Sequence, residues 1–279
     1  AQDYPDVEVL LVDQNPDGRL RPIVTAASST FKIRHLRSER GLSRARNIAL
    51  PHITGDVVAF PDDDCWYPPD LLKQVAHFLS ENPECDGLTG CSADPAGRPS
   101  PSCDRHPGDI TTGNVWRRAI SFTIFLRRNV IAKAGEFDEA LGVGAGTPWG
   151  SGEETDYLLR ALAAGCRFHY DPSVLVLHPK LPERNDAEAR QKAYCYAQGV
   201  GHVLRVHNYS QFAMWRMVVT PLKRAAYSLA TGRPARAAVR WKMFSGCLAG
   251  YMTRVDVDER NESAPSIQSP SAGCDAEHS

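Results

Sequence analysis

Residues 57–72, VVAFPDDDCWYPPDLL, run from an apolar segment into three consecutive aspartates, Asp62, Asp63 and Asp64. Like charges at the end of a buried strand repel one another and resist desolvation. Mg²⁺ or Mn²⁺ together with a phosphate ligand neutralises such a cluster, because these ions bind through one or two carboxylates and substrate phosphates. The alternative is a solvated acidic turn, since aspartate also favours turns and helix caps. The stretch therefore predicts a strand, a metal site or acidic turn, and then a helix.

Short apolar strands alternate with helical patterns around this stretch. We expect strands at 7–12, 31–36 and 56–60 and a short helix at 42–50. A further helix is expected to begin at Pro68 or Pro69 and end at Asn82, with an apolar stripe formed by Leu71, Leu72, Val75, Phe78 and Leu79. This rhythm predicts an α/β fold in which ligands bind at the carboxyl ends of the strands. Asp13 and the three aspartates follow two of these strands, so we expect them to share one crevice.

Composition sets further bounds. The 279 residues are 42% hydrophobic and carry a formal net charge of −1, which fits a globular protein with one full core and argues against a general polyanion binder. The eight cysteines are widely and irregularly spaced without a C-x-x-C pair, so neither a zinc ribbon nor a disulfide scaffold is predicted. The sequence shows no signal peptide and no apolar run long enough to span a membrane. These features favour a reducing, cytoplasmic compartment.

Residues 142–165, GVGAGTPWGSGEETDYLLRALAAG, form a glycine-rich loop followed by a predicted helix that ends at Gly165. Three acidic side chains, Glu153, Glu154 and Asp156, lie in the first turn of this helix. A carboxylate there can act as a general base toward a hydroxyl, and acidic residues in a first turn also complement the helix dipole. Trp149 in the loop is a candidate for stacking on a ligand ring or for packing in the core.

Five ordered segments resemble the family 2 nucleotide-sugar glycosyltransferases of the GT-A fold. They are LLVDQNPDG, RGLSRARNIAL, VVAFPDDDCWYP, GEFDEALGVGAGTPWGSGEETDYLLRAL and LVLHP, and they span residues 1 to about 180. The resemblance implies a Rossmann-like mixed sheet and a metal-dependent, inverting transfer of a sugar from a nucleoside diphosphate to an acceptor hydroxyl.

The resemblance also implies donor-binding residues. Asp13 matches the aspartate that recognises the donor base, and Arg46 with Asn47 matches a segment near the nucleotide. Asp62 and Asp64 match the D-x-D pair, and Asp63 between them could exchange roles with either.

Metal ligands and the base follow from the same comparison. Asp62, Asp64 and His178, the last at the end of an apolar strand, are expected to hold Mn²⁺ or Mg²⁺. Glu154 matches the usual base, although it is a glutamate where the family has an aspartate. The extra methylene leaves Glu153 and Asp156 as alternatives.

The chain starts at AQDYPDVEVLLVD, which resembles the second strand of the family rather than the first. The resemblance therefore implies that the first β-α unit is missing from this sequence. The sequence is then a fragment or has a misassigned start, or the protein is a natural truncation. In the last case a central strand would be absent, which would expose backbone edges and apolar surface of the sheet.

The composition changes beyond residue 180. Residues 189–255 contain eleven Lys or Arg and no Asp or Glu, interleaved with aromatic residues. We expect amphipathic helices that lie on an anionic membrane or turn a basic face to water, and no nucleic-acid motif is present. Residues 256–279 are acidic and rich in Ser and Pro, which predicts a disordered tail.

Together these features predict a GT-A-type catalytic domain at 1–180, a basic amphipathic helical region at 181–255 and the tail. The expected enzyme is an inverting hexosyltransferase that uses a UDP-sugar and a glycan or lipid-linked acceptor in cell-envelope polysaccharide synthesis, in the cytoplasm or on the inner face of the plasma membrane. The alternatives are a non-catalytic relative that binds sugar nucleotides or glycans, and a metal-dependent nucleotidyltransferase.

Overall fold

The computed structural model describes residues 2–179 and 183–253. The predicted disordered tail lies outside the described residues. The strands are β1 Glu8–Asp13, β2 Lys32–Arg37, β3 Val57–Ala59, β4 Gly87–Ala93, β5 Gly108–Asp109, β6 Ile124–Arg127 and β7 Phe168–Leu177. The α-helices are α1 Arg21–Ala27, α2 Leu42–Ala49, α3 Leu71–Glu81, α4 Val115–Arg118, α5 Asn129–Ala134, α6 Glu153–Ala163, α7 Ala187–Val206, α8 Gln211–Ala230 and α9 Pro234–Met252.

The strands form two sheets. One pairs β1 with β2 in parallel, and the other has the order β3-β6-β4-β7-β5. Strand β4 pairs in parallel with β7, whereas β6 is antiparallel to both β3 and β4. The predicted α/β fold with a mixed sheet is confirmed.

Strands β1 and β3 each have one unpaired edge within the described part of the chain, because β1 pairs only with β2 and β3 only with β6. A side chain joins the two sheets at the start of these strands. The Glu8 carboxylate accepts hydrogen bonds from the backbone N–H groups of Thr54, at 2.8 Å, and Gly55, at 3.1 Å. These contacts fix the start of β3 beside the start of β1.

The core covers both faces of the larger sheet. Helix α3 packs Leu71, Val75 and Leu79 against one face, as its apolar stripe predicts. The helix begins at Leu71, after Pro68 and Pro69, so the prediction that a proline opens it was wrong. Helix α6 packs Leu158, Leu159 and Ala161 into the cluster that covers the other face.

Helices α7, α8 and α9 confirm the predicted helical region. The Asp186 carboxylate caps α7 by accepting from the Ala189 N–H at 2.8 Å. Helices α7 and α9 approach closely at their glycines: a Cβ atom added to Gly201 would lie 2.0 Å from the Cys247 carbonyl oxygen. None of the helices within 2–179 and 183–253 is both long and apolar enough to cross a bilayer.

A disulfide joins Cys91 of β4 to Cys103, contrary to the sequence expectation. The chain folds back after β4, where the Ser100 N–H donates to the Ser92 carbonyl at 2.8 Å and Ala93 pairs with Pro99. This reversal brings the two Cα atoms to 5.8 Å. Irregular cysteine spacing could not reveal it, because the reversal depends on the backbone path.

Candidate active site

The acidic turn after β3 is joined to the end of β7. Trp66 and Leu177 exchange two backbone hydrogen bonds of 2.9 and 3.0 Å, and the His178 N–H donates to the Ala93 carbonyl at 2.9 Å. These bonds bring Asp64 and His178 together across more than a hundred residues of sequence. The distance from His178 Nε2 to Asp64 Oδ1 is 3.1 Å.

The His178 ring is held in one orientation. Its Nδ1 lies 2.8 Å from the Pro179 carbonyl oxygen, and Phe122 stacks on the ring with centroids 5.0 Å apart. Because a carbonyl only accepts, Nδ1 carries the proton, and in the neutral ring the Nε2 lone pair points toward Asp64. A histidine that binds a metal ion commonly has its second nitrogen bonded in this way. The pair therefore fits a divalent cation.

Asp62 lies near the Asp64–His178 pair. Burial raises the pKa of its carboxyl above the ordinary value, and Arg46, Asp64, His178 and Glu153 are close enough to influence it electrostatically. No group of three or more His, Cys, Asp or Glu side chains among the described residues is arranged to hold a metal ion unaided. Of the three predicted metal ligands Asp62, Asp64 and His178, the structure brings Asp64 and His178 into direct contact.

Arg46 of α2 connects the acidic turn to the start of α6. Its guanidinium lies over the rings of Phe60 and Phe137, at 5.5 and 5.1 Å from their centroids. One nitrogen donates to Ser121 Oγ, and Nη1 lies 3.5 Å from Glu153 Oε1. Arg46 is thus a buried cation between two sets of carboxylates.

Glu153 and Glu154 open helix α6 behind Gly152, which has a left-handed φ of +98° that favours glycine. Glu153 is 5% exposed, and its Oε2 atom has no hydrogen-bond partner among the residues described. Glu154 retains some contact with solvent. Burial, followed by the charge of Glu153, raises the pKa of Glu154 to about 8. A general base must be in its carboxylate form, and with a pKa of about 8 Glu154 reaches that form as the pH approaches and passes 8.

The Asp156 carboxylate is already paired with two side chains. Arg160 Nε lies 2.9 Å from one carboxylate oxygen, and His207 Nε2 lies 2.8 Å from the other. Burial opposes the charge on Asp156, but the bonds from His207 and Arg160 outweigh it and hold the pKa of Asp156 below its ordinary value. This carboxylate joins α6 to the end of α7, which makes it the least available of the three candidate bases.

Asp13 ends β1 with its carboxylate fully buried. It accepts from the backbone N–H and side-chain amide of Asn15, both at 2.8 Å, and from Arg37 at 2.8 Å. Both Asn15 bonds go to Oδ1, whereas Arg37 and His35 Nε2, the latter at 3.2 Å, approach Oδ2. The backbone bond from Asn15 lowers the pKa of Asp13, so the group is a well-bonded anion at the strand end.

The remaining predicted residues differ in their surroundings. The Asn47 amide binds the Phe137 backbone twice, with bonds of 2.9 and 2.7 Å, and so orders the chain that leads to the glycine-rich loop. Trp149 stacks on His202 of α7, with ring centroids 3.6 Å apart. Asp63 is exposed between its two acidic neighbours.

Sequence reasoning missed three contributors to this site: Ser121, Phe122 and Phe137. They contact Arg46 or His178, as described above. None belongs to a motif with a chemical signature, so only the folded arrangement reveals them. Phe60, directly before the acidic turn, is the one neighbour of Arg46 that the motif itself places nearby.

Comparison with known proteins supports the resemblance. The sequence model for glycosyl transferase family 2 matches residues 1–133. Among curated proteins, the pre-mycofactocin glycosyltransferases of two Mycobacterium tuberculosis strains are each 26% identical over 208 residues, a match that covers 67% of this chain. The chain spans only 41% of the length of these relatives.

Two solved structures share the fold. Staphylococcus aureus TarS 1–349 in complex with UDP is 18% identical with a TM-score of 0.53, and the match covers 90% of this chain and 83% of that one. The mannosyltransferase PcManGT from Pyrobaculum calidifontis, in complex with GDP-Man and Mn²⁺, is 16% identical with a TM-score of 0.57 and coverages of 90% and 80%. Through residues 1–133 the chain therefore matches glycosyl transferase family 2, and its fold is that of the GT-A glycosyltransferases.

Proposed function

We propose that this chain carries the donor site and the base of a metal-dependent glycosyltransferase. The reaction is an inverting transfer of a hexose from a nucleoside-diphosphate sugar, with UDP favoured, to a hydroxyl of a glycan or lipid-linked acceptor in cell-envelope polysaccharide synthesis. The observation that carries the proposal is the Asp64–His178 pair, which Asp62 and Arg46 connect to the two glutamates at the start of α6.

The residues would act in two groups, one at the acidic turn after β3 and one at the start of α6. Asp64 and His178, with Asp62 beside them, would hold Mn²⁺ or Mg²⁺, and the bound ion would offset negative charge on the leaving diphosphate. Glu154 accepts the proton of the acceptor hydroxyl. Arg46 pairs with Glu153, and its positive charge opposes the rise in the pKa of Asp62.

The choice of donor draws on the neighbours. One structure with this fold is a complex with UDP and another a complex with GDP-Man and Mn²⁺. The Asp13 carboxylate lies at the end of β1, where the resemblance puts recognition of the donor base, and in this structure it is bonded to Asn15, Arg37 and His35. The proposal includes Trp149 at the acceptor side and a peripheral membrane contact through residues 189–255.

Isothermal titration with UDP and with GDP, each with and without Mn²⁺, tests the donor site. We expect UDP binding that requires the metal and weakens at least about 10-fold in Asp64→Asn, because loss of one charged ligand would weaken the binding of the metal ion. The matched control is Asp56→Asn, since Asp56 is an exposed carboxylate just before β3 and Asp64 follows the same strand.

Equal loss of binding in both variants would contradict a specific metal site. Absence of UDP and GDP binding in a folded wild-type chain would contradict the proposed donor site as a whole.

A further inference from the structure

Helix α8 presents an apolar stripe to solvent. Phe212 is 73% exposed, Trp215 47%, Leu222 36% and Leu229 61%. At 100° per residue these four positions fall within an arc of about 100°. The adjoining side of α8 is buried: Met214, Val218 and Ala225 are at most 5% exposed. The outer stripe is therefore additional to the face that packs on α9.

Basic side chains border the stripe. Arg216 and Lys223 project along one side of it, with Arg224 further round, and all three are exposed. Within the described ranges no carboxylate forms an ion pair with any of them, whereas Arg184 and Arg236 elsewhere in the helical region do have acidic partners. Helices α8 and α9 contain no Asp or Glu at all. The face thus combines apolar and aromatic groups with uncompensated positive charge.

From this face we infer that α8 docks the protein on an anionic lipid bilayer, with the stripe in the interface and the basic residues at the headgroups. An amphipathic helix with aromatic and leucine residues on one side and cations beside them binds such surfaces. In this arrangement the helix lies in the plane of the membrane interface.

Charge argues against a second copy of the chain as the occupant. A symmetric contact through α8 would bring Arg216 and Lys223 of one protomer against the same residues of the other, with no acidic side chain on α8 to separate them. An anionic lipid surface complements both the apolar and the charged part of the same face.

This inference deepens the membrane contact of the proposed function and so rests on it for its biological meaning, but vesicle binding is measured without any sugar donor. The full chain is sedimented with phosphatidylcholine vesicles, with and without phosphatidylglycerol. We expect binding only to the anionic vesicles, and a loss of roughly 100-fold in Arg216→Glu, Lys223→Glu, Arg224→Glu, because each basic residue contributes about 1 kcal/mol near such a surface.

The charge control is Arg21→Glu, Arg34→Glu, Arg117→Glu. These three exposed residues lie outside α8 and have no ion pair among the residues described, so the control makes the same change in net charge. We expect it to bind vesicles like the wild type. Circular dichroism confirms folding of each variant, and UDP titration separates a failed membrane surface from a failed donor site.

The apolar part has its own variant. Trp215→Ser with Leu222→Ser is expected to weaken vesicle binding at least about 10-fold, because two apolar side chains would no longer be buried in the membrane interface. Tyr4→Ser with Ile23→Ser, two exposed apolar residues outside α8, is the matched control.

Failure of the wild type to bind anionic vesicles would overturn the inference. So would vesicle binding that survives the α8 charge reversal, or a dimer in solution that the Trp215→Ser, Leu222→Ser variant dissociates, since that dimer would assign the face to a second copy.

Discussion

At the scale of single residues, the most informative group is the Glu154 carboxyl. In the folded protein its pKa is raised from 4.5 to about 8, first by burial and then by the charge of Glu153. The folded state therefore keeps a proton that the unfolded chain releases near its ordinary pKa. The stability that this proton contributes is fully present below about 4.5 and is lost as the pH rises toward about 8.

We expect Glu154→Gln to remove this pH dependence. At a pH near the raised pKa of Glu154, about 8, the variant should have a higher unfolding temperature than the wild type. The corresponding gain in the free energy of unfolding is on the order of 1 kcal/mol or more. Below the ordinary value the two proteins should unfold alike. Thermal unfolding across this pH range is the measurement, and Glu81→Gln, at an exposed glutamate of α3, is the control. Parallel pH curves for wild type and Glu154→Gln would contradict the raised pKa.

Asp156 differs from Glu154 because its charge is already paired. Replacement by Asn leaves the buried interaction with Arg160 and His207 without its anion, a change that typically lowers the free energy of unfolding by about 3 to 5 kcal/mol. Urea denaturation measures this loss. Asp56→Asn, which removes an exposed ion pair with Arg128, should change stability by less than about 1 kcal/mol.

The Asp156→Asn variant also tests whether Asp156 has a structural or a catalytic role. Folded Asp156→Asn should bind UDP and Mn²⁺ like the wild type, since Asp156 faces α7. A stable Asp156→Asn protein would show that the ion pairs contribute little, and the carboxylate would again compete with Glu154 for the role of base.

At the scale of elements, helices α7 and α9 depend on the absence of side chains at their contact. A Cβ on Gly201 would lie 2.0 Å from the Cys247 carbonyl oxygen, and one on Gly250 would lie 2.0 Å from that of Gln198. Both obstacles are backbone atoms, which cannot rotate away. Alanine normally stabilises a helix relative to glycine by about 0.5 to 1 kcal/mol, so the sign of the effect reports the contact.

We expect Gly201→Ala and Gly250→Ala each to lower the free energy of unfolding by about 2 kcal/mol or more, because the helices must move apart. Urea denaturation is again suitable, and Gly18→Ala is the control, since nothing lies within 4 Å of a Cβ at that position. Stabilisation by either helical variant would show that α7 and α9 are farther apart than the structure has them.

Helices and strands with a strong periodicity of apolar residues could be predicted from the sequence, whereas contacts between these helices and strands could not. The stripe at Leu71, Val75 and Leu79 gave α3, but the start of that helix was placed too early because prolines before a helix look like prolines within its first turn. The Asp64–His178 pair followed only from the family resemblance. Its physical cause, the bridge between Trp66 and Leu177, leaves no mark on the local sequence.

Arg46 illustrates the same limit within the site. Its motif pointed toward the nucleotide, whereas the structure shows a guanidinium between two aromatic rings that links carboxylates from separate elements. Burial of that cation depends on Phe137, about ninety residues further along the chain. No periodicity or spacing encodes such a contact.

At the scale of the whole molecule, the helical region is fastened to the loop that leads into the site. The Gly150 N–H donates to the Cys195 carbonyl at 3.1 Å, Ser151 Oγ donates to the Tyr196 carbonyl at 2.8 Å, and Trp149 stacks on His202. Glu153 and Glu154 follow this loop directly. Their positions therefore depend on α7 as well as on the sheet.

This attachment predicts that the α/β part and helix α7 unfold together. Hydrogen exchange should give the slowest amides of α6 and α7 the same opening free energy, because neither element keeps its contacts when the other is lost. Trp149→Ala should lower both values together, by about 2 kcal/mol, through loss of a large packed ring. Ile23→Ala, at an exposed residue of α1, should lower neither. If α7 opened at a markedly lower free energy than α6, the helical region would be an independent unit, and the start of α6 would keep its geometry without it.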